Sequence, residues 1–129
     1  MNIKPKFQSG QIISLDDYNK HLYVEVIEEV VSRGLCWVRP LLLVEYHDDL
    51  QHYNHYFNGN LHEDTANIID LREAGDLLWN TTAFRPALDT EVINLLSQLV
   101  PKELRFEIDK IAQKQLNLFI NQIWQRHKS

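Results

Sequence analysis

The residues best equipped for chemistry lie between His47 and Thr65. The segment HDDLQHYNHYFNGNLHEDT sets His47, His52, His55 and His62 beside Asp48, Asp49, Glu63 and Asp64. Imidazole and carboxylate together can hold zinc or another divalent metal. His52 and His55, three positions apart, would share a face only on a helix. This polar, aromatic stretch, with its Asn58-Gly59 turn signal, does not read as one. It also lacks a His-Glu-x-x-His motif. The plainer reading, a solvated polar loop or a hairpin with Tyr53–Phe57 as one arm, is preferred to a metal site at these histidines.

Elsewhere the chemistry is thinner. Carboxylates are plentiful, but the sequence singles out no pair of them. There is neither a Gly-rich phosphate loop nor a nucleophile elbow, and Ser32 and Ser97 have no base beside them. The chain is therefore expected to be no enzyme, with no catalytic residue and no cofactor. Asp70 and Arg72, close to Asp76, read as a surface ion pair, an arrangement worth little energetically. Cys36 is the single cysteine, so no intramolecular disulfide can form; between Leu35 and Trp37 it reads as a small core residue. Arg39 and Arg85 each precede a proline and follow an aromatic segment. Arginine so placed can bind a carboxylate or stack on a ring. The plainer alternative has each one pairing with an acid or capping backbone carbonyls, so joining sheet to helices.

At 129 residues the chain has the size of a typical domain. That length buries about two-thirds of the unfolded surface, enough to need neither metal nor disulfide for stability. Hydrophobic residues make up 44% and charged residues 24%, as in globular rather than disordered chains. A net charge of −5 repels phosphate backbones, so nucleic acid is a disfavoured partner. The polar start, MNIKPKFQSG, does not look like a secretory signal. No apolar run approaches the ~20 residues needed to span a membrane. A cytoplasmic location is expected.

The elements that must position these groups are organised around Leu22–Tyr46. Leu22–Val31 and Leu35–Tyr46, rich in Val, Ile, Leu, Tyr and Trp, are joined by Ser32-Arg33-Gly34 and read as a β-hairpin. Alternation in the first run breaks near Ile27-Glu28-Glu29, which predicts a bulge or sharp bend. Pro40 places the second run at a sheet edge or kinks it. That run is apolar on both faces, so something must cover its outside. A turn at Ser9-Gly10 leads into a short strand, Gln11–Leu15, and Asp16–Lys20 reads as a loop. Ala66–Arg72 and Asp76–Trp79 read as further strands, and Thr81–Leu88 as an irregular crossover interrupted by Pro86. Two helices follow. One starts at Asp89 or Thr90, with Val92, Leu95, Leu96 and Leu99 at helical spacing. The other runs from Lys102 to about Arg126, with Leu104, Ile108, Ile111, Ala112, Leu116, Phe119, Ile120 and Ile123 near one stripe. At ~1.5 Å per residue that last helix is long enough to outrun a small barrel. The plainer reading has this stripe close the sheet; the alternative, weighed evenly against it, leaves Phe119, Ile120, Ile123 and Trp124 as an exposed apolar patch for a partner.

Phe7–Tyr46 resembles the opening of small SH3-like or Tudor-like barrels: a Gly10 turn, a short strand, a loop and a long bent hairpin. The runs Cys36–Leu41, Asp76–Trp79 and Phe84–Leu88 are similar to those of a family of small uncharacterised cyanobacterial proteins. The barrel resemblance implies that exposed aromatics line a peptide or RNA groove, and Tyr18, Tyr23 and Trp37 would fill that part. The expected fold is α+β, in one domain spanning 1–129. A small SH3-like antiparallel β-barrel of about five strands, roughly 7–80, is followed by two C-terminal helices, roughly 89–127. The leading expected function is a non-enzymatic protein-binding module, with a homodimer through the last helix as one route. RNA binding on the barrel face comes second, and a metal-dependent enzyme at the His-rich segment third. The protein partner itself is not specified by the sequence.

Overall fold

A computed structural model of the chain describes residues 4–46, 66–96 and 108–127. Its centre is an antiparallel meander. Strand β1 is Ile12–Asp17, β2 Lys20–Val30 and β3 Leu35–Tyr46. β1 and β2 are joined by a two-residue turn, Tyr18-Asn19. β2 and β3 are joined by a short 3-10 turn, Val31–Arg33, closed by Gly34 at φ 67°. Glycine adopts that left-handed conformation without a Cβ clash. The hairpin read from the sequence is thus present, and β3 has the expected limits.

The expected irregularity in β2 is also present. The register shifts between Val26 and Glu28, leaving Ile27 as the extra residue. A second shift lies between Tyr23 and Val24, opposite Leu41. Pro40 sits at this second bulge, and β3 is an interior strand rather than an edge. Strand β4, Ala66–Asp70, pairs with Leu42–Tyr46 of β3, and β5, Leu77–Asn80, pairs with Leu35–Val38. Pro40, which has no N–H to donate, falls in the gap between these two ladders.

A further strand went unread in the sequence. Phe84–Pro86, expected as irregular crossover, forms β6 and pairs with Ile13–Leu15 of β1. The resulting order is β4-β3-β2-β1-β6, with β5 also on β3. This ladder has two ends and does not close on itself. The molecule is therefore a mostly antiparallel α+β fold.

Both faces of the sheet are covered, and by different helices. On one face Ile13, Leu15, Leu22, Val24, Val26, Cys36, Val38 and Leu43 pack with Ala112, Leu116, Phe119 and Ile123 of helix α2, Ile108–His127. On the other, Tyr23, Leu42, Val44 and Tyr46 pack with Val92 and Leu95 of helix α1, Asp89–Leu96. Leu22, Tyr23 and Val24 thus alternate between the two cores, as the pleat of a strand requires. The outside cover expected for β3 is supplied as anticipated by the C-terminal helices. Neither described helix is long and apolar enough to cross a membrane.

Candidate interaction face

Helix α1 covers only part of its face. Beyond it, the outer side of β3 and β5 carries Trp37 and Leu78, which are register partners across the ladder. Trp37 is 41% exposed and Leu78 51%. The indole is held in place: its Nε1 donates to Asp76 Oδ2 at 3.1 Å. Arg39 lies two residues along the same strand, 3.9 Å from Asp76 and 4.0 Å from Glu25. Glu28 stands opposite Trp37 in the β2–β3 register and is exposed. The bulge at Ile27 sets this alignment, because without it Glu28 would fall on the other face.

Leu78 also borders a groove at the end of the sheet, formed with Leu15, Leu35, Trp79, Ile123 and Trp124. Trp79 and Trp124 meet edge to face there, with ring centroids 6.3 Å apart. Trp124 is 56% exposed. Strand β5 therefore shows an apolar side chain on each of its faces, Leu78 beside Trp37 and Trp79 beside Trp124.

A second polar constellation lies where β1, β2 and β6 adjoin. Asp16 Oδ1 accepts from Ser14 Oγ at 2.6 Å and contacts His21 Nδ1 at 2.7 Å, while Arg85 donates to both carboxylate oxygens. Burial alone would raise the pKa of this carboxyl. The hydrogen bonds from His21, Arg85 and Ser14 outweigh burial and hold it well below the usual carboxylate range. The His21 ring is buried beside Tyr46, 5.7 Å away and edge-on. Although Ser, His and Asp meet here, the hydroxyl is bonded to the aspartate rather than to the imidazole. The nucleophile–base contact needed for covalent catalysis is not formed.

The other residues singled out in the sequence are dispersed. Tyr18 is exposed in the β1–β2 turn with the Arg126 guanidinium 4.4 Å above its ring. Tyr23, expected as an exposed groove aromatic, is fully buried, because its position alternates into the core under α1. Phe119 and Ile123, candidates for an exposed patch, are buried against the sheet, and Ile120 is half-buried. Of that patch only Trp124 remains open. The long helix reaches the turn end of the meander, where Arg126 bonds Asp17 at 3.1 Å and Lys20 donates to Gln122 at 3.1 Å. Arg126 joins helix to sheet, while Arg85 bonds Asp16 of β1 and Arg39 lies between Glu25 of β2 and Asp76. Asp70 and Arg72 form the expected ion pair at 2.9 Å, but not at the surface, since the Asp70 carboxylate is buried; Asp76 belongs to Trp37 and Arg39. Cys36 is buried as expected, and burial, with the Glu29 carboxylate opposite, pushes its thiol up to about 11. His47, His52, His55 and His62 lie outside the described residues. Among the described residues no cluster of His, Cys, Asp and Glu could hold a metal ion.

Leu78, Glu28, Asp16 and His21 went unnoticed as site residues. The apolar LLW run was the signal available for Leu78; the others depend on register. No protein-family model, curated protein or solved structure matches this chain.

Proposed function

We propose that this chain is a non-enzymatic module that binds another protein through the outer face of β3 and β5. The reading is carried by Trp37 and Leu78, a register pair exposed on two neighbouring strands whose other large apolar side chains are buried or half-buried. Exposed apolar pairs rimmed by polar groups mark interaction sites, and tryptophan is a frequent anchor in them. The indole is already fixed by Asp76, so little side-chain freedom is lost on binding. The same reading takes the twice-bulged β1–β2–β3 meander as an SH3-like curl. Helix α2 is the weaker surface for a homodimer, since among its described side chains the exposed large apolar ones, Leu118 and Trp124, are six residues apart and point about 120° from each other.

The test is photo-crosslinking in the native cell. The reactive residue p-benzoylphenylalanine replaces Leu78 or, as a control, Ile93, an exposed position on α1. Discrete protein adducts are expected from position 78 and not from 93, and Trp37→Ala should abolish them. Identical adducts from both positions, or none from position 78, would overturn the reading.

A further inference from the structure

We infer that the protein partner presents an arginine to this face, its guanidinium laid on the Trp37 indole and forked onto the Glu28 carboxylate, with an apolar neighbour in the partner's sequence covering Leu78. The inference rests on the function proposed above and adds the chemistry of the partner.

The strands set out the site in rows. Glu28 of β2 is the register partner of Trp37 in β3, and Trp37 that of Leu78 in β5, so the three side chains form one row across two ladders. Directly opposed residues have Cβ atoms roughly 5 Å apart. A group resting on the indole therefore lies one strand spacing from the Glu28 carboxylate and one from Leu78. The row beyond holds Glu25 and Arg39, also register partners. Asp76, just ahead of β5, bonds the indole Nε1 and lies 3.9 Å from Arg39.

Charge sets the sign of the occupant. The carboxylates of Glu25, Glu28 and Asp76 lie around Trp37, and the Arg39 guanidinium is divided between the first and the last. Glu28 is exposed and forms no ion pair among the described residues. The N–H edge of the indole is taken up by Asp76, which leaves the ring face, the side that attracts cations. Ring face and carboxylate side by side suit arginine better than lysine. A guanidinium is planar and weakly hydrated, so it can stack on a ring while its N–H fork meets a carboxylate; an ammonium is a strongly hydrated point charge. A nucleic acid would bring phosphates to these acids. A second copy meeting this face with its own would set acid against acid, and both are opposed.

The experiment selects random peptides displayed on phage against the purified full chain, then measures the selected sequences by fluorescence polarisation. They should carry an arginine close to a large apolar residue. Replacing that arginine by citrulline, its uncharged isostere, and Glu28→Gln should each weaken binding about tenfold. Together they should cost less than the product of their separate effects, because they remove one contact. Glu45→Gln, at the far end of β3, should leave binding unchanged, which separates a local contact from attraction by the net charge of −5. Far-UV circular dichroism should show both variants folded, and the citrulline peptides test the contact with the chain itself unaltered. Selection of peptides without arginine, no selection, equal weakening by Glu28→Gln and Glu45→Gln, or fully multiplicative losses would overturn the inference. So would self-association in sedimentation that Trp37→Ala abolishes, which would give the face to a second copy. A specific adduct at position 78 together with selected peptides that lack arginine would leave the protein-binding reading standing and remove only the arginine contact, whereas no adduct from position 78 would remove both.

Discussion

Tyr18 takes φ 54° in the β1–β2 turn, a left-handed conformation that glycine tolerates and a bulky side chain does not. For an L-residue this costs roughly 1–2 kcal/mol. The Arg126 guanidinium over the ring returns roughly 0.5–1 kcal/mol at an exposed site. The stacking therefore offsets only part of the strain. Tyr18→Gly removes both the strain and the ring, whereas Tyr18→Ala removes only the ring. Denaturant midpoints should place Tyr18→Gly above Tyr18→Ala by about 1 kcal/mol; equal midpoints would show that the turn is not left-handed there. Asp16 makes a prediction in pH. Its folded carboxyl titrates below the unfolded one, so the unfolded state binds more protons in acid. The stability it contributes is complete above about pH 5 and is lost as pH falls through about 4 and below. The stability gap between the wild type and Asp16→Asn should be flat near neutrality and narrow steadily in acid. A gap that widened in acid would contradict the bonding around Asp16.

Helix α2 owes its place to Ala112, Leu116, Phe119 and Ile123, spaced four, three and four residues apart and all buried. Phe119→Ala should cost about 3–5 kcal/mol. Trp124→Ala loses the edge-to-face contact with Trp79 but leaves no buried cavity, and should cost about 0.5–1.5 kcal/mol. Thermal melts of the two variants check the contrast, and equal losses would mean that the helix is rotated about its axis. The stripe itself was readable from periodicity, as were the β2–β3 hairpin and the bulge at Ile27, because all three are local patterns. Two elements were not readable, for reasons that lie outside the segments themselves. Asp16 and Asp17 have turn-forming side chains, yet both continue β1: His21 and Arg85 bond the first, and Arg126 bonds the second. β6 is three residues long and ends in Pro86, so only its pairing with β1 makes it a strand. The candidate face was half visible. Trp37 and Arg39 stand out by residue type, while Leu78, Asp76 and Glu28 join them only through a register that two bulges have shifted.

At the scale of the whole molecule, the two cores share the same strands. β2 sends Leu22 and Val24 under α2 and Tyr23 under α1, and β3 divides Leu43 from Leu42 and Val44 in the same way. Neither core can lose its order without disturbing a strand that the other core needs. Damage on the α1 side should therefore be felt at the opposite face. Leu95→Ala, beneath α1, should cost about 2–5 kcal/mol, a large share of the roughly 5–15 kcal/mol that stabilises a domain of this size. Trp79 and Trp124, on the α2 side, provide the fluorescence once Trp37, on the α1 side, is replaced by Phe. With coupled cores, tryptophan fluorescence and far-UV circular dichroism should move together in Leu95→Ala, to one lower denaturant midpoint. If fluorescence kept the wild-type midpoint while the dichroism shifted, α1 would be detaching from a sheet that stands without it, and the sharing of β2 and β3 would not couple the two faces.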